Sequence, residues 1–157
     1  MTQVQDLQMA KDLGASFAVS PDLTPELLSA AQKIKFPFLP GVATSSDIML
    51  GLNHGFDTFK LFPAAVLGGV PYLKALSGPF PSVKFCPTGG IKSDNFLSYL
   101  KMANVSSIGG SWLSPSKSIV EGDWEGITHL TKDAVANLKP LRSFRVANKK
   151  DLPRGKS

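Results

Sequence analysis

The stretch Val83-Lys84-Phe85-Cys86-Pro87-Thr88-Gly89-Gly90, followed shortly by Ser93-Asp94, decides how this chain folds. A short apolar run enters a glycine pair, and a helix-opening Ser-Asp comes next, which is the pattern of a strand turning into a helix. The same pattern recurs along the chain. Candidate strands at residues 16–20, 36–40, 58–62 and 105–108 join the one at 83–86. Each is short and nearly continuous in apolar residues, as in a parallel sheet covered on both faces.

Helical patterns fill the intervals. Thr24-Pro25-Glu26 opens one, with Thr24 as N-cap and Pro25 at the first helical position. Leu27, Leu28, Ala31 and Ile34 then share one face. Ser45-Ser46-Asp47 opens the next, which stops near His54-Gly55, where glycine can adopt the left-handed cap conformation. Ser93-Asp94 opens a third, with Phe96, Leu97 and Leu100 apolar. Helices are also predicted over residues 5–13, ending at Gly14, and 123–138. Five repeats of strand and helix predict an α/β protein with a parallel sheet. An open doubly wound sheet and a (β/α)₈ TIM barrel both fit the pattern. A complete barrel usually needs about 200 residues or more, and this chain has 157.

Composition narrows the function classes. With 43% hydrophobic and 18% charged residues, the chain is too apolar and too weakly charged to be disordered. The polar opening residues 1–12 carry no apolar signal-peptide core, so a cytoplasmic location is expected. The one cysteine, Cys86, has no internal disulfide partner and no zinc-ligand spacing. The net charge of +5 is unevenly placed: residues 139–157, with seven Lys/Arg against Asp151, carry +6 and leave −1 for the body. The basicity is that of a solvated tail, and nucleic acid is not an expected partner.

Functional residues in parallel α/β folds gather at the carboxyl ends of strands. Here those ends are rich in Pro, Gly and small hydroxyls. Gly89-Gly90 and Gly109-Gly110-Ser111 stand at equivalent places in successive units, each before a predicted helix. Such loops let backbone N–H groups approach a phosphate, aided by the helix dipole; each is also a possible tight turn. Lys60 is the odd residue in Phe59-Lys60-Leu61-Phe62. Alternation puts it with Phe62 on one face, and burial of a lysine frees a neutral amine to attack a carbonyl. A snorkelling or carboxylate-paired lysine fits the same pattern. Lys84, near its strand's start, ranks below it. His54, His129, Cys86, Trp112 and Trp124 read as structural, the tryptophans as packing residues.

Taken together, Phe17-Ala18-Val19-Ser20-Pro21, Leu39-Pro40-Gly41-Val42-Ala43-Thr44, Phe59-Lys60-Leu61-Phe62-Pro63-Ala64, Phe85-Cys86-Pro87-Thr88-Gly89-Gly90-Ile91 and Ile108-Gly109-Gly110-Ser111-Trp112-Leu113 closely resemble the 2-keto-3-deoxy-6-phosphogluconate aldolases, also known as 4-hydroxy-2-oxoglutarate aldolases. The resemblance covers roughly residues 5–138. It implies a class I aldolase of the Entner–Doudoroff pathway on a (β/α)₈ barrel, typically trimeric, with no metal or other cofactor. About the last five βα units would be present, residues 1–138 forming the partial barrel and 139–157 a flexible tail. By resemblance, Lys60 forms a Schiff base with a phosphorylated 2-keto acid, releasing pyruvate and glyceraldehyde 3-phosphate, or glyoxylate from 4-hydroxy-2-oxoglutarate. Gly89, Gly90 and Ser111 match phosphate-holding positions, Thr88 a residue beside the keto acid, and Pro21 and Phe62 residues shaping the pocket. The family's proton-shuttling glutamate, its carboxylate-binding arginine and a Gly-Ala-Gly-Thr strand would all lie upstream. Asp22 is the nearest acid by position, although the family usually has a small residue there.

Overall fold

The computed structural model describes residues 1–138, so the predicted basic tail at 139–157 lies outside the described residues. Helix α1 (Val4–Asp12) leads into β1 (Ala18–Val19), α2 (Pro25–Lys33), β2 (Phe38–Leu39), β3 (Gly41–Val42) and α3 (Ser45–Asn53). Strand β4 (Thr58–Leu61), α4 (Gly69–Leu76), β5 (Lys84–Pro87) and α5 (Phe96–Leu100) follow. A 3₁₀ turn (Ser111–Leu113), α6 (Ser116–Glu121) and α7 (Trp124–Leu138) complete the described chain.

Every pairing is parallel. β1 pairs with β2, β3 with β4, and β4 with β5. Only Pro40 separates β2 from β3, so one extended segment serves β1 on one side and β4 on the other. Parallel bridges Phe85–Val105 and Thr88–Gly109 carry the sheet one segment further, in place of the continuous strand expected at 105–108. Neighbours in space therefore follow chain order, without the reversal that makes the switch point of a doubly wound sheet.

The alternation of side chains explains the core. Phe38, Phe59, Leu61 and Phe85 are at most 1% exposed and join Leu28 of α2, Ile48 of α3, Leu73 of α4 and Phe96 of α5 in one cluster. Each such side chain contributes about 1.5–3 kcal/mol through burial. Helix starts follow the capping chemistry, with some shifts. Thr24 caps α2 as predicted, its Oγ1 accepting from Leu27 N–H at 3.3 Å. For α3 the cap is Thr44 rather than Ser45, because Thr44 and Asp47 satisfy each other's backbone N–H groups in a capping box. α5 starts at Phe96 rather than Ser93: Asn95 accepts from Lys92 N–H and donates to the Gly90 carbonyl, which holds the approach as turns.

Helix α4 has no counterpart among the predicted helices. Its Pro71 looks like a helix breaker but sits in the first turn, where a missing N–H is tolerated. Trp112 packs on Phe96 at 5.6 Å between ring centroids, as expected of a packing residue. Trp124 does not pack: at the start of α7, a helix with no buried residue, it is 62% exposed. Among the described residues no helix is long and apolar enough to cross a membrane.

Candidate active site

Strand β4 delivers the key side chain. Phe59 and Leu61 are fully buried towards the helices, so alternation turns Lys60 to the opposite face. There the successive parallel segments each contribute a residue: Val19, Leu39, Lys60, Cys86 with Thr88, and Ser107. Together with Ser16, Phe17, Ile108 and Gly109 they line a cavity of about 550 Å³. A larger, open depression over the start of α7 carries Asp123, Trp124 and His129 and lies away from this sheet edge.

The amine of Lys60 has no carboxylate partner among the described residues. Both ion pairs there, Lys117–Glu121 and His129–Asp133, are on exposed helix surfaces elsewhere. Lys60 Nζ instead lies over the Phe62 ring, 4.5 Å from its centroid. Burial pulls the Lys60 pKa below its usual value; the nearby Cys86 opposes this more weakly. The Cys86 thiol is 8% exposed, and burial raises its pKa against smaller opposing effects of Ser107, Thr88 and Lys60. Both groups are thus biased towards their uncharged forms. An uncharged amine beside an accessible cavity is a nucleophile for a carbonyl carbon.

The loops beyond β4 and β5 are clamped together. Ala64 N–H donates to the Thr88 carbonyl at 2.8 Å and Ala65 N–H to the Gly89 carbonyl at 3.0 Å. Gly89 and Gly90 take φ of 93° and 78°, a conformation few other residues adopt, and a Cβ on Gly90 would overlap that of Ala65. The N–H groups of Gly90 and Gly110 donate to no backbone acceptor among the described residues. Helices do follow both loops, α5 from Phe96 and, as predicted after Gly109-Gly110-Ser111, the short α6 from Ser116, but each starts several residues beyond its glycines. The groups these loops present between strand and helix are free backbone amides.

Of the residues singled out in the sequence, Lys60 and Thr88 meet in the cavity lining. Phe62 is half-buried and touches Lys60 from the loop side. Pro21, Gly89, Gly90 and Ser111 do not line the cavity and stand on the loops that follow their strands. Pro21 is exposed, and its carbonyl sits where a Cβ on Gly41 would be. Asp22 is also outside, its Oδ1 accepting from Leu23 N–H at 2.8 Å. Lys84 lies at the opposite end of β5, donating to the Ala103 carbonyl at 2.9 Å. His54 caps α3, and exposed His129 pairs with Asp133. Cys86 and Ser107 were missed as cavity residues. Two-residue alternation carried across from Lys60 finds Cys86, whereas Ser107 reaches the cavity only because the register shifts by one residue between the Phe85–Val105 and Thr88–Gly109 bridges.

A parallel sheet in chain order, with an unpaired lysine and glycine loops at its carboxyl edge, defines an α/β protein that works from its strand ends. Comparison with known proteins makes this specific. The family described as "Aldolase: KDPG and KHG aldolase" matches residues 1–130, and the chain belongs to that family. It is 46% identical over 136 residues to the 2-dehydro-3-deoxy-phosphogluconate aldolase of Pseudoalteromonas atlantica, covering 87% of this chain and 63% of that protein. To the KHG/KDPG aldolase of Escherichia coli K12 it is 47% identical, covering 86% and 63% of the two chains. The chain thus spans less than two thirds of the length of these relatives. Among solved structures, a Legionella pneumophila KDPG aldolase superposes with a TM-score of 0.80 at 50% identity, covering 82% of this chain and 62% of that one. That structure holds pyruvate captured at low pH as a covalent carbinolamine intermediate.

Proposed function

We propose that Lys60 forms a Schiff base with a phosphorylated 2-keto acid, and that the chain is an aldolase releasing pyruvate and glyceraldehyde 3-phosphate from 2-keto-3-deoxy-6-phosphogluconate. The carbonyl of 4-hydroxy-2-oxoglutarate would be taken in the same way. The observation that carries this reading is the unpaired, desolvated Lys60 amine in a cavity at the carboxyl edge of the sheet. The neutral amine adds to the keto carbon to give a carbinolamine, and loss of water gives an iminium. The hydroxyl on the departing carbon then gives its proton to water and becomes the aldehyde carbonyl, while the carbon–carbon bond breaks with its electron pair drawn into the iminium; the resulting enamine takes a proton from water and is hydrolysed to pyruvate, freeing Lys60. Thr88 lies beside the keto acid, with Pro21 and Phe62 shaping the pocket. Gly89, Gly90 and Ser111 hold the phosphate. The captured carbinolamine of the Legionella relative supports the same first step. The chain is read as about the last five units of an eightfold barrel, working as a trimer in the cytoplasm.

One observation favours a second reading, a phosphate-binding unit without turnover. No carboxylate lines the cavity among the described residues, and a positioned proton-transfer group typically contributes about 10²–10⁴-fold. The two readings separate in one assay: pyruvate release from the phosphorylated substrate, coupled to lactate dehydrogenase, alongside titration with inorganic phosphate. Turnover that disappears in Lys60→Met supports the aldolase. Phosphate binding with no pyruvate release supports the second reading.

A further inference from the structure

Lys60 has two register neighbours, and they differ sharply. On the β3 side its Cα partner is Gly41, which has no side chain; on the β5 side it is Cys86. Cys86 is therefore the one side chain set directly across the ladder from the amine, on the same face and in the same cavity. Among the described residues no other lining side chain can titrate: Val19 on β1, Leu39 on β2, Thr88 beyond β5, and Ser107 and Ile108 on the outer segment are all neutral at any working pH, and the Met1 amine donates to the Val19 carbonyl at 3.0 Å.

We propose that Cys86 is a positioning residue for Lys60, its buried side chain closing the β5 flank of the amine to water and so setting the pH range in which Lys60 reacts. The proposal deepens the Schiff-base reading and rests on it for its chemical consequence. A carboxylate at this register position would hold the amine charged. A hydroxyl would bring in water, and an apolar group of similar size would preserve the desolvation. Gly41, opposite, is buried and its missing Cβ makes room for the Pro21 carbonyl, so the β3 flank of the amine is closed by backbone and carries no side chain that could alter its charge.

The test measures the ionisation of Lys60 without using its proposed reaction. Competitive labelling of the intact chain with acetic anhydride, read at the Lys60 peptide by mass spectrometry across pH, gives the midpoint directly. Cys86→Val is expected to leave the midpoint depressed, Cys86→Ser to raise it, and Cys86→Asp to raise it further, by about 1–3 pH units above the parent. Should Cys86→Asp fail to fold, the contrast between Ser and Val decides. Equal midpoints in parent, Val and Ser variants, or Val shifting as far as Ser, overturn the proposal. Pyruvate with cyanoborohydride is run on the same samples to keep the two claims apart. Shifted midpoints with no adduct would sustain the role of Cys86 and sink the Schiff base; adduct with unmoved midpoints would do the reverse.

Discussion

The contact between Gly51 and Phe59 predicts an epistasis of opposite signs. Phe59 is fully buried on β4, and its ring fills the space where Gly51 of α3 lacks a side chain. A Cβ built on Gly51 overlaps the ring at Cε1 and stands 2.6 Å from Cζ. Gly51→Ala alone should therefore cost about 1–3 kcal/mol through overpacking. Phe59→Ala should cost about 3–5 kcal/mol, the usual range for deleting a buried aromatic ring. With the ring gone, Gly51→Ala meets open space in a helix interior, where alanine is better than glycine by about 0.5–1 kcal/mol. The second substitution should thus stabilise the Phe59→Ala protein, a coupling of about 2 kcal/mol between the two sites. Urea unfolding measures it: at a slope near 2 kcal/mol per molar, Phe59→Ala lowers the midpoint by about 2 M, and adding Gly51→Ala raises it again. A Gly51→Ala cost of the same sign and size in both backgrounds would refute the packing of α3 on β4.

Three further outcomes follow from the geometry. Gly109→Ala places a Cβ 2.7 Å from Thr88 Oγ1 and should push that hydroxyl out of place; the rate of pyruvate adduct formation should fall by about 10- to 100-fold with the chain still folded by circular dichroism. Thr24→Ala removes the α2 cap at a cost of about 1 kcal/mol in urea unfolding and leaves the adduct rate unchanged, since the cap lies away from the cavity. Adduct formation at Lys60 should start at a lower pH than the ordinary lysine pKa would allow. With the Lys60 pKa lowered on folding, the unfolded chain binds more protons between the folded and usual values, so this group also makes stability rise with pH in that window.

The fold was legible where one local signal sufficed. Thr24-Pro25 specified a cap and a first helical turn, and alternation in Phe59-Lys60-Leu61 specified which face Lys60 would take. The class of architecture followed from repetition of such units. What stayed hidden depended on competing local bonds or on distant neighbours. The Asn95 side chain delays α5 beyond Ser93, Thr44 outcompetes Ser45 through its reciprocal bond with Asp47, and Pro71 disguises α4. In the site, Lys60 stood out within its own strand, whereas Thr88 was named only through the family resemblance. Cys86 and Ser107 join them only through the register between strands, which no single segment encodes. Trp124 shows the converse: aromatic character alone does not establish that a residue is packed.

On the proposed function, the Lys60 amine is the nucleophile of this site. Incubating the folded protein with pyruvate, reducing with borohydride and mapping the modified peptide tests it most directly. A reduced pyruvyl group is expected on Lys60, absent from Lys60→Met and from samples reduced without pyruvate. A folded protein that leaves Lys60 unmodified, or that carries the group on Lys84 or another exposed lysine instead, would contradict it.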